Sequence, residues 1–227
     1  MQLQVYFVIS IGVDRKTKMK RSDIFVALLA ALISCSPMRS PPEIPHEILI
    51  ELQTDKQTMF NMNSQINWSL DDDLKSHTKN MKPGETLLIY IKSNGGGVDA
   101  AESIINTMSR FKTICVADTA MSAAFEIYQS CTVRVYLDKT ILMTHHHSIS
   151  FGNGSISVAE AFISSLDGLI QEIYLLKRSA NRMDMTYDEL LKKIEKSKGE
   201  WYIYGRDIVE YHASDYHIKD SQLKKLK

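Results

Sequence analysis

The chain has 227 residues, 44% apolar and 24% charged, which is enough apolar matter for a core and too much for disorder. Its 27 Lys and Arg balance 27 Asp and Glu, which argues against a broad basic nucleic-acid surface. Three cysteines are too few for a disulfide scaffold, and no apolar run reaches the roughly 18 residues of a bilayer-spanning helix.

Residues 1–35 read as a leader. Met19-Lys20-Arg21 supplies a short basic region, Ile24 to Ile33 a ten-residue apolar run, and Ser34 a small residue before Cys35. Leu32-Ile33-Ser34-Cys35 resembles a bacterial lipoprotein box, in which cleavage precedes the cysteine and its thiol takes the lipid. The start is then Met19, or Met1 with a long leader; the alternative is a frayed helix with a chance cysteine. Palmitate incorporation at Cys35 is the measurement that decides the anchor. Residues 36–46 hold Pro37, Pro41, Pro42 and Pro45 and read as a tether. Residues 47–227 form one domain. A chain beginning at Cys35 carries 22 basic and 25 acidic residues, net −3. Cys115 and Cys131 remain, as a bridge in an oxidising compartment or as two separate buried thiols.

The body alternates strand and helix. His46 to Leu52 (HEILIEL) reads as a first strand. Ser69 caps a helix through Asp71, Asp72 and Asp73, whose acids suit the positive end of the dipole and read as solvated. Thr86 to Lys92 is a nearly all-apolar strand, as expected where both faces are covered. A glycine-rich turn, Ser93 to Gly97, precedes a helix carrying Val98, Ala101, Ile104, Ile105, Met108 and Phe111. Thr113 to Ala117 is a buried strand, Ala120 to Tyr128 a helix start, and Thr132 to Leu137 and Ile141 to Thr144 two more strands. Val158 to Met183 is a long amphipathic helix with Leu166, Ile170, Ile173 and Leu176 on one stripe, read as core first and interface second. Tyr187 to Ser197 is a shorter helix. The fold class is α/β, a spiral of βαβ units with a mainly parallel sheet.

Chemistry gathers at three turns. In Asn94-Gly95-Gly96-Gly97, glycines let backbone amides approach a ligand, although no Gly-Lys-Ser/Thr follows to make a phosphate loop. In Ala120-Met121-Ser122-Ala123-Ala124, a serine lies between small residues at a strand-to-helix junction; it is either an N-cap or a nucleophile. In Met143-Thr144-His145-His146-His147, one imidazole suits a general base. Neighbouring residues in a strand alternate faces, so at most two histidines point the same way, and a metal would need ligands from elsewhere.

The three turns together resemble the ClpP serine peptidase family, from about Ile48 to Asp220. Ser93-Asn94-Gly95-Gly96 is similar to its glycine loop, Ser122 to its nucleophile, and Met143-Thr144-His145 to its histidine segment. Asp207-Ile208-Val209-Glu210-Tyr211 is similar to its Glu-Ala-x-Glu-Tyr helix, and that register puts the family's catalytic aspartate on Glu200. The resemblance implies a ClpP/crotonase fold. It implies a Ser122–His145–Glu200 triad, and an oxyanion hole from the amides of Gly95, Gly96 and Ala123. It implies an extended polypeptide substrate pairing beside the glycine loop, without cofactor or metal. The departures are Asn94 for proline, Ala123 and Ala124 for a bulkier residue and a glycine, and Glu200 for aspartate. Asp207 is a reserve acid, His146 a reserve base if the register slips, and Lys92 a base of the kind used by signal-peptide-peptidase relatives.

The long helix corresponds to the family's ring-stacking region, which implies a homo-oligomer. A lipid on Cys35 implies an envelope protein held at the membrane, without nucleic acid and without an ATP-driven AAA+ unfoldase; such a partner belongs only to the alternative, cytoplasmic location. The rival functions are a non-catalytic envelope protein of the same fold and a crotonase-type acyl-CoA enzyme.

Overall fold

In the computed structural model, residues 42–54, 59–148 and 157–224 are described, all within one compact unit, Ser40–Lys227. The leader, Cys35 and most of the tether lie outside the described residues.

Helix α1 spans His46–Thr54, where the alternation of Ile48, Ile50 and Leu52 predicts a strand. Ile48 and Leu52, four residues apart, pack on one core while Ile50 stays exposed, so helical period decides the segment. The first strand is instead β1, Phe60–Met62. Helix α2 (Trp68–His77) is capped by Asn67, whose side chain accepts from Leu70 N at 3.0 Å, and not by Ser69. Asp71 is not solvated either. It is buried and accepts from Lys75 Nζ and from Ser103 Oγ, each at 2.7 Å, so the pair spans α2 and its neighbour α3. Asp72 and Asp73 are exposed, as expected.

Strand β2 (Thr86–Ser93), helix α3 (Val98–Met108), strand β3 (Lys112–Met121), helix α4 (Ala123–Gln129) and strand β4 (Val133–His145) follow as consecutive βαβ units. Helix α5 (Val158–Arg182), α6 (Tyr187–Lys196), β5 (Glu200–Tyr204), α7 (Arg206–Glu210), β6 (Tyr216–His217) and α8 (Asp220–Lys224) complete the chain. The sheet order is β1-β2-β3-β4-β5, with β6 also on β4; β5 alone is antiparallel.

The segments Thr132–Leu137 and Ile141–Thr144, expected as two strands, are halves of β4. Thr140 Oγ1 accepts from Leu137 N at 2.7 Å and donates to Ala117 O at 2.5 Å, which satisfies the backbone where the β3–β4 register shifts. The first half pairs with β6 and the second with β5. Apolar cores cover both sheet faces, one against α2 to α6 and one against α1, which explains the almost unbroken apolar run of β2. Cys115 and Cys131, on β3 and just after α4, are bridged, with Cα atoms 6.1 Å apart.

Helix α5 departs from the core reading of its stripe. Leu175 and Leu176 are buried, but Phe162, Ile163, Leu166, Leu169 and Ile170 are all exposed. No described helix is long and apolar enough to cross a membrane.

Candidate active site

Parallel strands end their carboxyl ends together, and the crossovers bring three chain breaks there: the glycine loop after β2, Ser122 after β3 and His145 at the end of β4. Ser122 adopts φ 56° and ψ −128°, a conformation that an L side chain occupies only under constraint. Its side chain makes no cap hydrogen bond, so it does not serve as an ordinary N-cap. The constraint comes from both sides. Ser122 N–H donates to Met143 O on β4 at 2.8 Å, and Ser122 O accepts from Phe125 N at 2.9 Å in the first turn of α4. Met121 and Met143 are register partners, so His145 ends two residues past the strand position that holds the elbow. The outcome is a 2.7 Å contact between Ser122 Oγ and His145 Nε2, a distance fit for proton transfer.

The glycine loop is pressed onto this elbow. A Cβ on Gly95 (φ 100°) would lie 2.6 Å from Met121 O and from Ser122 Cβ. One on Gly96 (φ 154°) would lie 2.2 Å from Ile66 O. Only glycine meets both the conformation and the approach. Residues 64–66 brace the loop from outside: Ile66 N donates to Gly95 O at 2.9 Å, Gly97 N to Ile66 O at 2.8 Å, and Ser93 Oγ to Ser64 O at 2.6 Å. Nothing in the sequence flags this brace, because it is made of backbone. Gly95 N–H is used up on Ser93 Oγ at 3.2 Å, which removes Gly95 from the expected amide donors. The N–H groups of Gly96 and Ala123 have no acceptor among the described residues.

Glu200 stands opposite His145 in the β4–β5 register. Its carboxylate accepts from Tyr202 Oη at 3.2 Å, and no hydrogen bond joins it to the imidazole. Asp207 lies in the first turn of α7. His146 contacts Glu172 Oε1 of α5 through Nδ1 at 2.7 Å, whereas the ring that meets Ser122 Oγ is that of His145. Glu172 Oε2 also accepts from His147 N at 3.2 Å. Burial holds the His147 imidazole below its ordinary pKa. Lys92 Nζ is directed to Asp118 Oδ2 at 3.4 Å, which gives the amine a carboxylate partner instead of the serine. Among the described residues no group of three or more His, Cys, Asp or Glu is gathered to hold a metal.

Two acidic residues escape a motif search. Glu172 clasps the segment after His145 from 25 or more residues downstream. Glu126, one turn into α4, is buried and accepts from Ser179 Oγ of α5 at 2.5 Å. Burial pushes its carboxyl up to about 7, against the hydrogen bonds from Ser179 and Thr144 and the nearby Arg178 charge.

The Clp protease family matches residues 51–198 of the chain. That span includes Ser122 and His145 and stops before Glu200. No curated protein matches the sequence. Among solved structures, a ClpP1 point variant from Listeria monocytogenes superposes with a TM-score of 0.61 at 18% identity, over 81% of this chain and 100% of that one.

Proposed function

The chain belongs to the Clp protease family, and from that premise we propose that it is a serine endopeptidase acting on unfolded or short polypeptides. The observation that carries this reading is the 2.7 Å contact between His145 Nε2 and the hydroxyl of a serine held at a strained elbow. Ser122 Oγ attacks the peptide carbonyl carbon while its proton passes to His145 Nε2. The oxyanion takes the open N–H groups of Gly96 and Ala123, each worth roughly 3 kcal/mol in comparable sites. The C–N bond then breaks, and His145 returns the proton to the leaving amine. Water enters by the same proton path, and hydrolysis of the ester frees Ser122. Glu200 completes the triad by rotating from Tyr202 towards the imidazole.

An extended substrate has less sheet edge than the sequence suggests. Strand β2 is flanked on both sides, by β1 and β3. Backbone pairing therefore does not fall to β2, and the open Gly96 N–H is kept for the oxyanion.

The exposed apolar face of α5 supports self-association. The Cys115–Cys131 bridge supports an oxidising compartment, in keeping with an envelope protein anchored through Cys35.

A fluorophosphonate probe tests the activity. The wild-type chain should gain one adduct by intact mass, and Ser122→Ala none. A folded wild-type protein that stays unlabelled would overturn the peptidase reading.

A further inference from the structure

We infer that the enzyme prefers a lysine or arginine side chain on the residue whose carbonyl is attacked, and holds it in a cavity walled by Asp99 and Asp167. This rests on the serine-peptidase reading and names the substrate class of that same site.

The cavity has a volume of about 520 Å³ and is bounded by α3, α5 and the segment after β4. Its wall begins at Gly97, directly after the open Gly96 N–H, and ends around His147, two residues past His145. A residue whose carbonyl oxygen rests on Gly96 N–H therefore has its own side chain within reach of this space. Val98 is the one apolar side chain among the described lining residues, and apolar atoms of the others complete a wall on which an aliphatic stem packs.

The charge is one-sided. Asp99 and Asp167 line the cavity from two different helices, and no described Lys or Arg does. Asp99 is fixed in place, because its Oδ1 accepts from Gln171 Nε2 at 3.0 Å across the α3–α5 gap. It stands in the first turn of α3, where the helix dipole offsets part of its charge; Asp167, mid-helix, has no such offset. His147 adds no opposing charge at neutral pH, because burial lowers its pKa. A space with two carboxylates and no described cation on its wall favours a long cationic side chain, whose stem fills the volume and whose head meets the charge.

The test uses the full chain and a fluorogenic peptide series identical except for Lys, Arg, Leu or Glu before the cleaved bond. The kcat/KM for Lys and Arg should exceed that for Leu by about tenfold, with Glu lowest. In Asp99→Asn/Asp167→Asn, the Lys-to-Leu ratio should fall to about one by loss of that same factor. Asp167→Asn alone, at an exposed helix position, should lower the ratio in the same direction if the double variant does not fold. Peptidyl phosphonates bearing Lys or Leu, read as the rate of Ser122 adduct formation by intact mass, give the same comparison without turnover. Equal or better use of Leu by the wild type, or an unchanged ratio in the variants, overturns the inference and leaves the peptidase reading standing. Absence of both turnover and adduct with every member of the series overturns the two together.

Discussion

Ser122 carries the strain on which the site depends. At φ 56° and ψ −128° a non-glycine residue costs about 1–3 kcal/mol, offset here by the bonds to Met143 and α4. Glycine has no such cost. Ser122→Gly should therefore be more stable than Ser122→Ala by about 1 kcal/mol in denaturant unfolding, although both lose the nucleophile. Equal stabilities would mean the elbow is relaxed. The residue scale also explains a limit of motif reading. Three glycines in a row look interchangeable, but Gly95 spends its N–H on Ser93, Gly96 keeps its N–H open, and Gly97 binds Ile66. Gly97 finds its acceptor, and Ser93 its own, among residues 64–66, about 30 positions earlier.

At the scale of elements, α4 is tied to α5 by a buried carboxyl. The folded chain raises Glu126 from about 4.5 to about 7, so between those pH values the folded state holds a proton that the unfolded state has released. Stability from this group is full below about pH 4.5, falls as pH rises, and levels off above about pH 7. The loss is about 3 kcal/mol at most. Glu126→Gln should remove that slope from the pH dependence of the unfolding free energy; a variant with the wild-type slope would assign it to another group. The same scale shows where local patterning misleads. HEILIEL alternates like a strand, but Ile48 and Leu52 meet the core with helical spacing. The break at Asp138 to Thr140 looks like a turn between strands, whereas Thr140 Oγ1 links Leu137 N to Ala117 O of β3 and β4 runs on through it.

At the scale of the whole molecule, α5 is packed on the body over only part of its length. Its C-terminal half buries Leu175, Leu176 and Ala180, while Phe162, Ile163, Leu166 and Ile170 stay open to solvent. A patch of this kind calls for a partner surface, and the proposed occupant is a second copy of the chain. Light scattering should give a multiple of the chain mass for the wild type. Phe162→Glu/Ile163→Glu should give the mass of one chain with an unchanged circular dichroism spectrum, and a wild type of single-chain mass would sink the assembly.

The α/β class and the order of βαβ units were legible from residue pattern, whereas Ser122 and His145, which alone read as a helix cap and a surface histidine, were singled out by the family resemblance of the three turns together. Small residues around the serine, glycines after an apolar strand and a histidine at a strand end are local signals, and each reports the backbone it requires. Contacts between distant segments leave no such mark. The pairing of Cys115 with Cys131, the burial of Asp71, the turn of His146 to Glu172 and the cavity of Asp99 and Asp167 all join residues remote in the chain. Periodicity records which face a residue takes, whereas packing selects the partner it meets there.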